Sequence, residues 1–206
     1  LLDNLTTLGG IEFQGSSFDA NDKNITTTYY YLRADTGFVP TITMGSGTWE
    51  ATAAFNPWTL EENNGEVVTI IPETSTIKLT DSSSNSKDFG TYTGSGKTYN
   101  NLWIAGTGTG DFNIKGSNTF NEFKVTNPPH AIKFTEGTTT TVSSWNVSGT
   151  SGNLITIDSF DGASQHTLSK SSGTVISDYL DLSNSNATGG ATWLAGTNSN
   201  DTTNNT

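Results

Sequence analysis

The residues able to do chemistry are few, and each has a specific requirement to meet. A serine-type nucleophile needs a base beside it. The only histidines are His130 and His166. His130 follows Pro128-Pro129 and is expected at a turn; His166 precedes a strand-like run. No Gly-x-Ser-x-Gly elbow accompanies either, so both read as surface or turn histidines. Glycoside cleavage needs two carboxylates facing a sugar. Close acid pairs occur at Asp19/Asp22, Glu61/Glu62, Asp158/Asp161 and Asp178/Asp181. With 20 acids in 206 residues such pairs arise by chance, and they read as solvated loop residues. Cleavage by β-elimination would want a basic residue, and Arg33 is the single arginine. Asp19-Ala20-Asn21-Asp22-Lys23-Asn24 carries oxygen ligands for a hard cation. It lacks the glycine of a calcium-hand loop, and an Asx-rich turn explains it more simply. No catalytic residue, cofactor site or metal site is assigned.

Aromatic faces can stack on sugars or on partner subunits. Of the five tryptophans, Trp145 occupies an inward apolar place in a repeat described below and is expected in the core. Trp103 occupies the variable, outward place between Leu102 and Ile104 and is the interaction candidate. The Thr138 to Thr141 run is too isolated to make an ice-binding array. The Asn-x-Ser/Thr sequons at Asn4, Asn24, Asn146 and Asn186 match what an Asn- and Thr-rich chain gives by chance.

The chain as a whole is polar and weakly charged. Charged residues make up 14%, glycines number 22, and the net charge is −11. The 10% aromatic content argues against disorder. Only nine residues are basic and they are scattered. This excludes a nucleic-acid groove and disfavours an anionic membrane surface. There is no cysteine, hence neither disulfide nor thiolate chemistry. No apolar run reaches the length of a membrane span.

Helical periodicity is absent, and strand formers come in short runs bounded by Gly, Asn, Ser and Pro. The organising feature is a repeat. Thr98-Tyr99-Asn100-Asn101-Leu102-Trp103-Ile104, Thr119-Phe120-Asn121-Glu122-Phe123-Lys124-Val125 and Thr141-Val142-Ser143-Ser144-Trp145-Asn146-Val147 share one pattern at steps of 21 and 22 residues. A second strand type lies between them at Phe112 to Gly116, Ile132 to Glu136 and Ile155 to Asp158. Ile77 to Asp81 reads as an earlier copy of it. Val175 to Leu182 reads as a copy of the first type with one residue inserted. Such a period predicts a parallel β-helix, or β-solenoid, of about 21 to 22 residues per coil. An antiparallel β-sandwich is the alternative. The inward core is expected to include Leu102, Ile104, Phe123, Val125, Trp145 and Val147.

Residues 1–182 are read as the solenoid. Within it, residues 1–66 form less regular coils, with a separate small β-domain as the alternative. Ser82 to Lys87 and Thr93 to Lys97 are read as loops between coils. Residues 183–206, rich in Asn, Thr and Gly, are read as a cap or tail.

The ending Ser183-Asn184-Ser185-Asn186-Ala187-Thr188-Gly189-Gly190-Ala191-Thr192-Trp193-Leu194-Ala195-Gly196 resembles that of uncharacterised β-helix-rich structural proteins of tailed bacteriophages and environmental bacterial genomes. Asn127 to Thr138 and Lys97 to Leu102 are similar to passages upstream of that ending. The likeness covers roughly residues 75–206. It implies a virion or extracellular surface component and a truncated tail, since the related ending continues to a Gly-Trp pair. It implies no catalytic residue. The expected function is a non-catalytic structural element such as a phage fibre, tail or capsid-decoration protein. Its partners would be itself, as a homotrimer or lattice, and other virion or surface structural proteins. The alternatives are a glycan- or receptor-binding fibre module and, behind it, a polysaccharide-degrading β-helix enzyme.

Overall fold

The three repeat segments alternate polar and apolar residues. In a strand this sends one set of side chains to each face. Burying the apolar set requires like positions to stack, coil on coil. A computed structural model describes residues 1–91, 95–128 and 130–206 and has that arrangement. Leu102 pairs with Phe123, and Phe123 with Trp145, in parallel register. The chain is an all-β parallel solenoid, without helix among the described residues.

Two sheets of nine strands run the length of the rod. The first holds Leu5–Thr6, Ile25–Thr27, Thr48–Ala51, Thr76–Leu79, Thr98–Ile104, Thr119–Val125, Thr139–Asn146, His166–Ser169 and Ser185–Thr188. The second holds Ile11–Gln14, Tyr30–Ala34, Trp58–Glu62, Lys87–Thr91, Phe112–Lys115, Ala131–Phe134, Ile155–Ser159, Leu180–Ser183 and Asn200–Thr203. Among the described residues a third side is present only near the ends. In the first three coils it comes after the second sheet, as Phe18–Asp19, Thr41–Thr43 and Thr69–Ile71. In the last two coils it comes before the second sheet, as Thr174–Ser177 and Thr192–Ala195. The middle coils have two strands each among the described residues.

This layout corrects three expectations. The coil averages about 24 residues, not 21 to 22. The shorter period holds only where corners are tight; Trp58 pairs with Phe89 at a step of 31 residues. Thr76–Leu79 belongs to the first sheet, in register with Asn101 to Ile104, so Ile77 is not a copy of the second strand type. The run from Val175 to Leu182 divides between the third side and the second sheet. Of the expected loops, Ser82 to Lys87 ends in a strand, because Lys87 begins one. Thr93 and Gly94 of the other lie outside the described residues.

All six expected core residues are buried. Inside the rod, rings touch in an unbroken series. It runs Phe13, Trp49, Tyr30, Trp58, Tyr99, Phe120, Phe123, Trp145 and Trp193, with centroids 5.0 to 6.3 Å apart. Aromatic pairs of this kind add to ordinary apolar burial. Where coils approach most closely only glycine fits. Gly106, Gly108 and Gly110 lie over the carbonyls of Asp81, Ser83 and Asn85, and a Cβ on any of them would collide with backbone.

The polar ending also folds as coil. Ser185–Thr188, Thr192–Ala195 and Asn200–Thr203 add one strand to each side. Side-chain amides hold it: Asn204 Nδ2 donates to Asn184 Oδ1 at 2.9 Å, and Asn205 Nδ2 to the Leu182 carbonyl at 2.9 Å.

Candidate functional site

Every carboxylate of the close acid pairs accepts hydrogen bonds from neighbouring groups. Glu61 and Glu62 are successive strand residues and point to opposite faces. Glu62 turns inward, bonds Lys97 and Ser95, and accepts from the Val68 amide at 2.8 Å. Asp19 caps the Asn21 amide, and Asp22 accepts from the Ser46 amide at 2.8 Å. Asn24 does the same for Thr48, so the oxygens of the presumptive cation loop bind backbone. Backbone amides of Ala163 and Ser164 pull the Asp161 carboxyl down to about 2. Asn198, Tyr179 and Ser199 hold Asp178 below the carboxylate range. These are turn caps. Among the described residues no group of three or more His, Asp or Glu could hold a metal.

Both histidines are buried, contrary to the surface reading. His130 lies edge-on to Phe112, and burial lowers its pKa. His166 is wholly buried and stacks on Phe134 at 4.7 Å. Its Nε2 is 2.8 Å from Ser185 Oγ, and burial depresses it to about 4. Each opens a strand or follows a corner, yet its ring fills the interior there.

Trp103 does face outward, but its ring is already occupied. Lys78 Nζ lies 5.2 Å from the ring centroid and Lys124 Nζ 4.6 Å, from the coils on either side. Its Nε1 donates to Thr126 Oγ1 at 2.9 Å. Lys78 in turn binds Glu50 at 3.0 Å. This is a stacked surface column, satisfied within the chain. In the Thr run, Thr139 and Thr141 face out and Thr140 in. The next coils put Thr167 and Ser169, then Asn186 and Thr188, at the outward places, so no pure threonine array forms.

Two other surfaces are less self-contained. The first is a corner groove. Between the two long sheets the second coil spends only Thr28 and Tyr29, whereas the third spends six residues, Thr52 to Pro57. A groove of about 480 Å³ at these corners is lined by Tyr29, Tyr31 and Phe55 together with Glu12, Asn56 and Thr59. Phe55 is 62% exposed. Tyr29 donates to Glu12 Oε1 at 3.3 Å, and its ring lies against Gly10, where a Cβ would find no room. Tyr31 donates to Glu61. Burial and that carboxylate push the Tyr31 phenol up to about 12, while Tyr31 and Asn63 hold Glu61 low. Arg33 sits alongside, with Nη2 2.7 Å from Asp35 and Nε 3.6 Å from Glu61.

The second surface lies at the last two coils. A cavity of about 310 Å³ there is lined by Trp145, Leu168, Val175, Leu180 and Trp193, among others. Strand Asn200–Thr203 is exposed throughout and carries no further strand on its outer edge among the described residues. Thr206 already exchanges backbone hydrogen bonds with Ser185 and Ala187, across the edge of the first sheet. Beside the cavity, outward Ile176 pairs with outward Leu194, and both are exposed.

The chain matches no family model, no curated protein and no solved structure. The geometry therefore has to carry the functional reading. Neither surface was found from the sequence. The groove depends on unequal corner lengths, visible only once Thr27 to Tyr30 and Ala51 to Trp58 are known to be equivalent. The second surface depends on the polar tail being coil.

Proposed function

We propose that this chain is a non-catalytic structural rod of an extracellular or virion assembly, a fibre, tail or decoration element that works by contact with neighbours. The observation that carries this reading is the outward pair Ile176 and Leu194, in register on the third side of the last two coils and both exposed. Exposed apolar surface of this kind marks a contact. A second copy, as in a homotrimer, or a neighbouring surface protein would cover it. The engagement of Asp19, Asp22, Asp161 and Asp178 as turn caps supports a scaffold over an enzyme.

The test is native mass measurement over a range of concentrations, together with cryo-microscopy of the particle or surface the chain comes from. The chain should self-assemble or occupy a defined place there, and Ile176→Lys with Leu194→Glu should abolish the contact while leaving the melting temperature unchanged. A wild-type chain that stays monomeric at its highest soluble concentration, and is absent from such particles, overturns the proposal.

A further inference from the structure

We propose that the corner groove of the second and third coils binds a neutral saccharide. This site is separate from the Ile176–Leu194 surface and does not rest on the assembly reading.

The first argument is shape. A two-residue corner flanked by longer corners leaves a concavity, and its volume lies within the range of small-ligand sites. The second is the chemistry of the walls. Phe55 stands out into solvent, and Tyr29 and Tyr31 lie next to it as half-buried rings. Pyranose rings carry apolar C–H faces, and such faces seat on aromatic rings. The tyrosines are also fixed in advance. Each hydroxyl is tied to a carboxylate, and Tyr29 is set down on Gly10. Little side-chain freedom remains to be lost on binding.

The third argument is charge, and it selects the class of sugar. Hydroxyl groups donate well to ionised carboxylates. Glu12 lines the groove, and Glu61, held ionised by Tyr31 and Asn63, lies on the same face of the second sheet. The residues lining the groove include no lysine or arginine, and Arg33 beside it already engages Asp35 and Glu61. Sulfated, phosphorylated or uronic sugars would meet carboxylates without a free cation, on a chain of net charge −11. Neutral, hydroxyl-rich rings fit. Hydrolysis does not follow, because a general acid needs a carboxyl raised toward neutrality, and Glu61 is moved the other way.

The experiment uses the full chain. Labelled protein is applied to an array of neutral and anionic glycans, and the best neutral oligosaccharide is then titrated calorimetrically. Neutral glycans should bind. Phe55→Ala should weaken binding about tenfold or more, as for an aromatic anchor, while Phe55→Trp should retain it. Trp103→Ala, outside the groove, should leave affinity unchanged. Because Phe55 is exposed, its variants should melt with the wild type, so lost binding is separable from lost fold. Binding to no neutral glycan, binding to anionic glycans alone, or an affinity indifferent to Phe55→Ala overturns the proposal.

Discussion

The Lys87 ammonium lies 3.0 Å from the Asp81 carboxylate, at an inward place in the second sheet where 1% of the lysine side chain is exposed. It also donates to the carbonyls of Ser83 at 3.1 Å and Asn85 at 2.8 Å, and sits 5.2 Å from the Phe112 ring centroid. A lysine thus holds the corner between the two sheets of its coil from within. Burial pushes the Asp81 carboxyl up, but Ser83 and Lys87 outweigh it and leave the pKa lowered. Removing one partner of a buried pair strands the other. Lys87→Ala should therefore cost about 3–5 kcal/mol in urea unfolding. A loss below about 1 kcal/mol, the range of exposed pairs, would show that water reaches the site freely.

His166 makes the rod acid-sensitive. Its folded pKa is depressed to about 4 by burial, against about 6.5 in an unfolded chain. Above both values the group has no effect on stability. As pH falls below the unfolded value, the unfolded chain takes up the proton first and stability declines. The decline ends near the folded value, after a loss of roughly 3 kcal/mol. His130, also lowered by burial, adds in the same direction. Melting temperature should fall between neutral and weakly acid pH, and His166→Phe should flatten that fall. Identical slopes for the two proteins would assign the acid sensitivity elsewhere.

Phe123 and Trp103 lie in neighbouring strands of one sheet and should behave oppositely. Phe123 is fully buried, stacks on Trp145 at 5.0 Å, and its truncation to Ala should cost about 3–5 kcal/mol. Trp103 loses two cation contacts on truncation, at exposed-site values of about 0.5–1 kcal/mol each. Equal losses in chemical denaturation would mean that the outward column is structural core.

The parts of the fold legible in the sequence were those where corners are short. From Leu102 to Trp145 the apolar phase survives each step, so parallel stacking and all six core positions could be read directly. Around Trp58 and Phe89 the step lengthens, and periodicity alone cannot tell which strand follows which. The histidines were misjudged because an imidazole that stacks on Phe134 or Phe112 behaves as an aromatic core residue. Trp103 was placed on the correct face, but its lysine neighbours come from coils 25 residues before and 21 after, and only register reveals them. The groove was not legible, since Tyr31, Phe55 and Glu12 carry no spacing signal.

The change of side made by the third strand gives the rod an uneven mechanics. A beam resists bending according to how far its material lies from the neutral axis. The first three coils carry added depth after the second sheet, and the last two carry it before the second sheet. The two-stranded coils between them, where the glycines of Gly106 to Gly110 draw the backbones together, have the least depth. Under transverse load the rod should flex at this waist. The corner groove and the Ile176–Leu194 surface, one on each side of it, would then swing as separate stiff pieces.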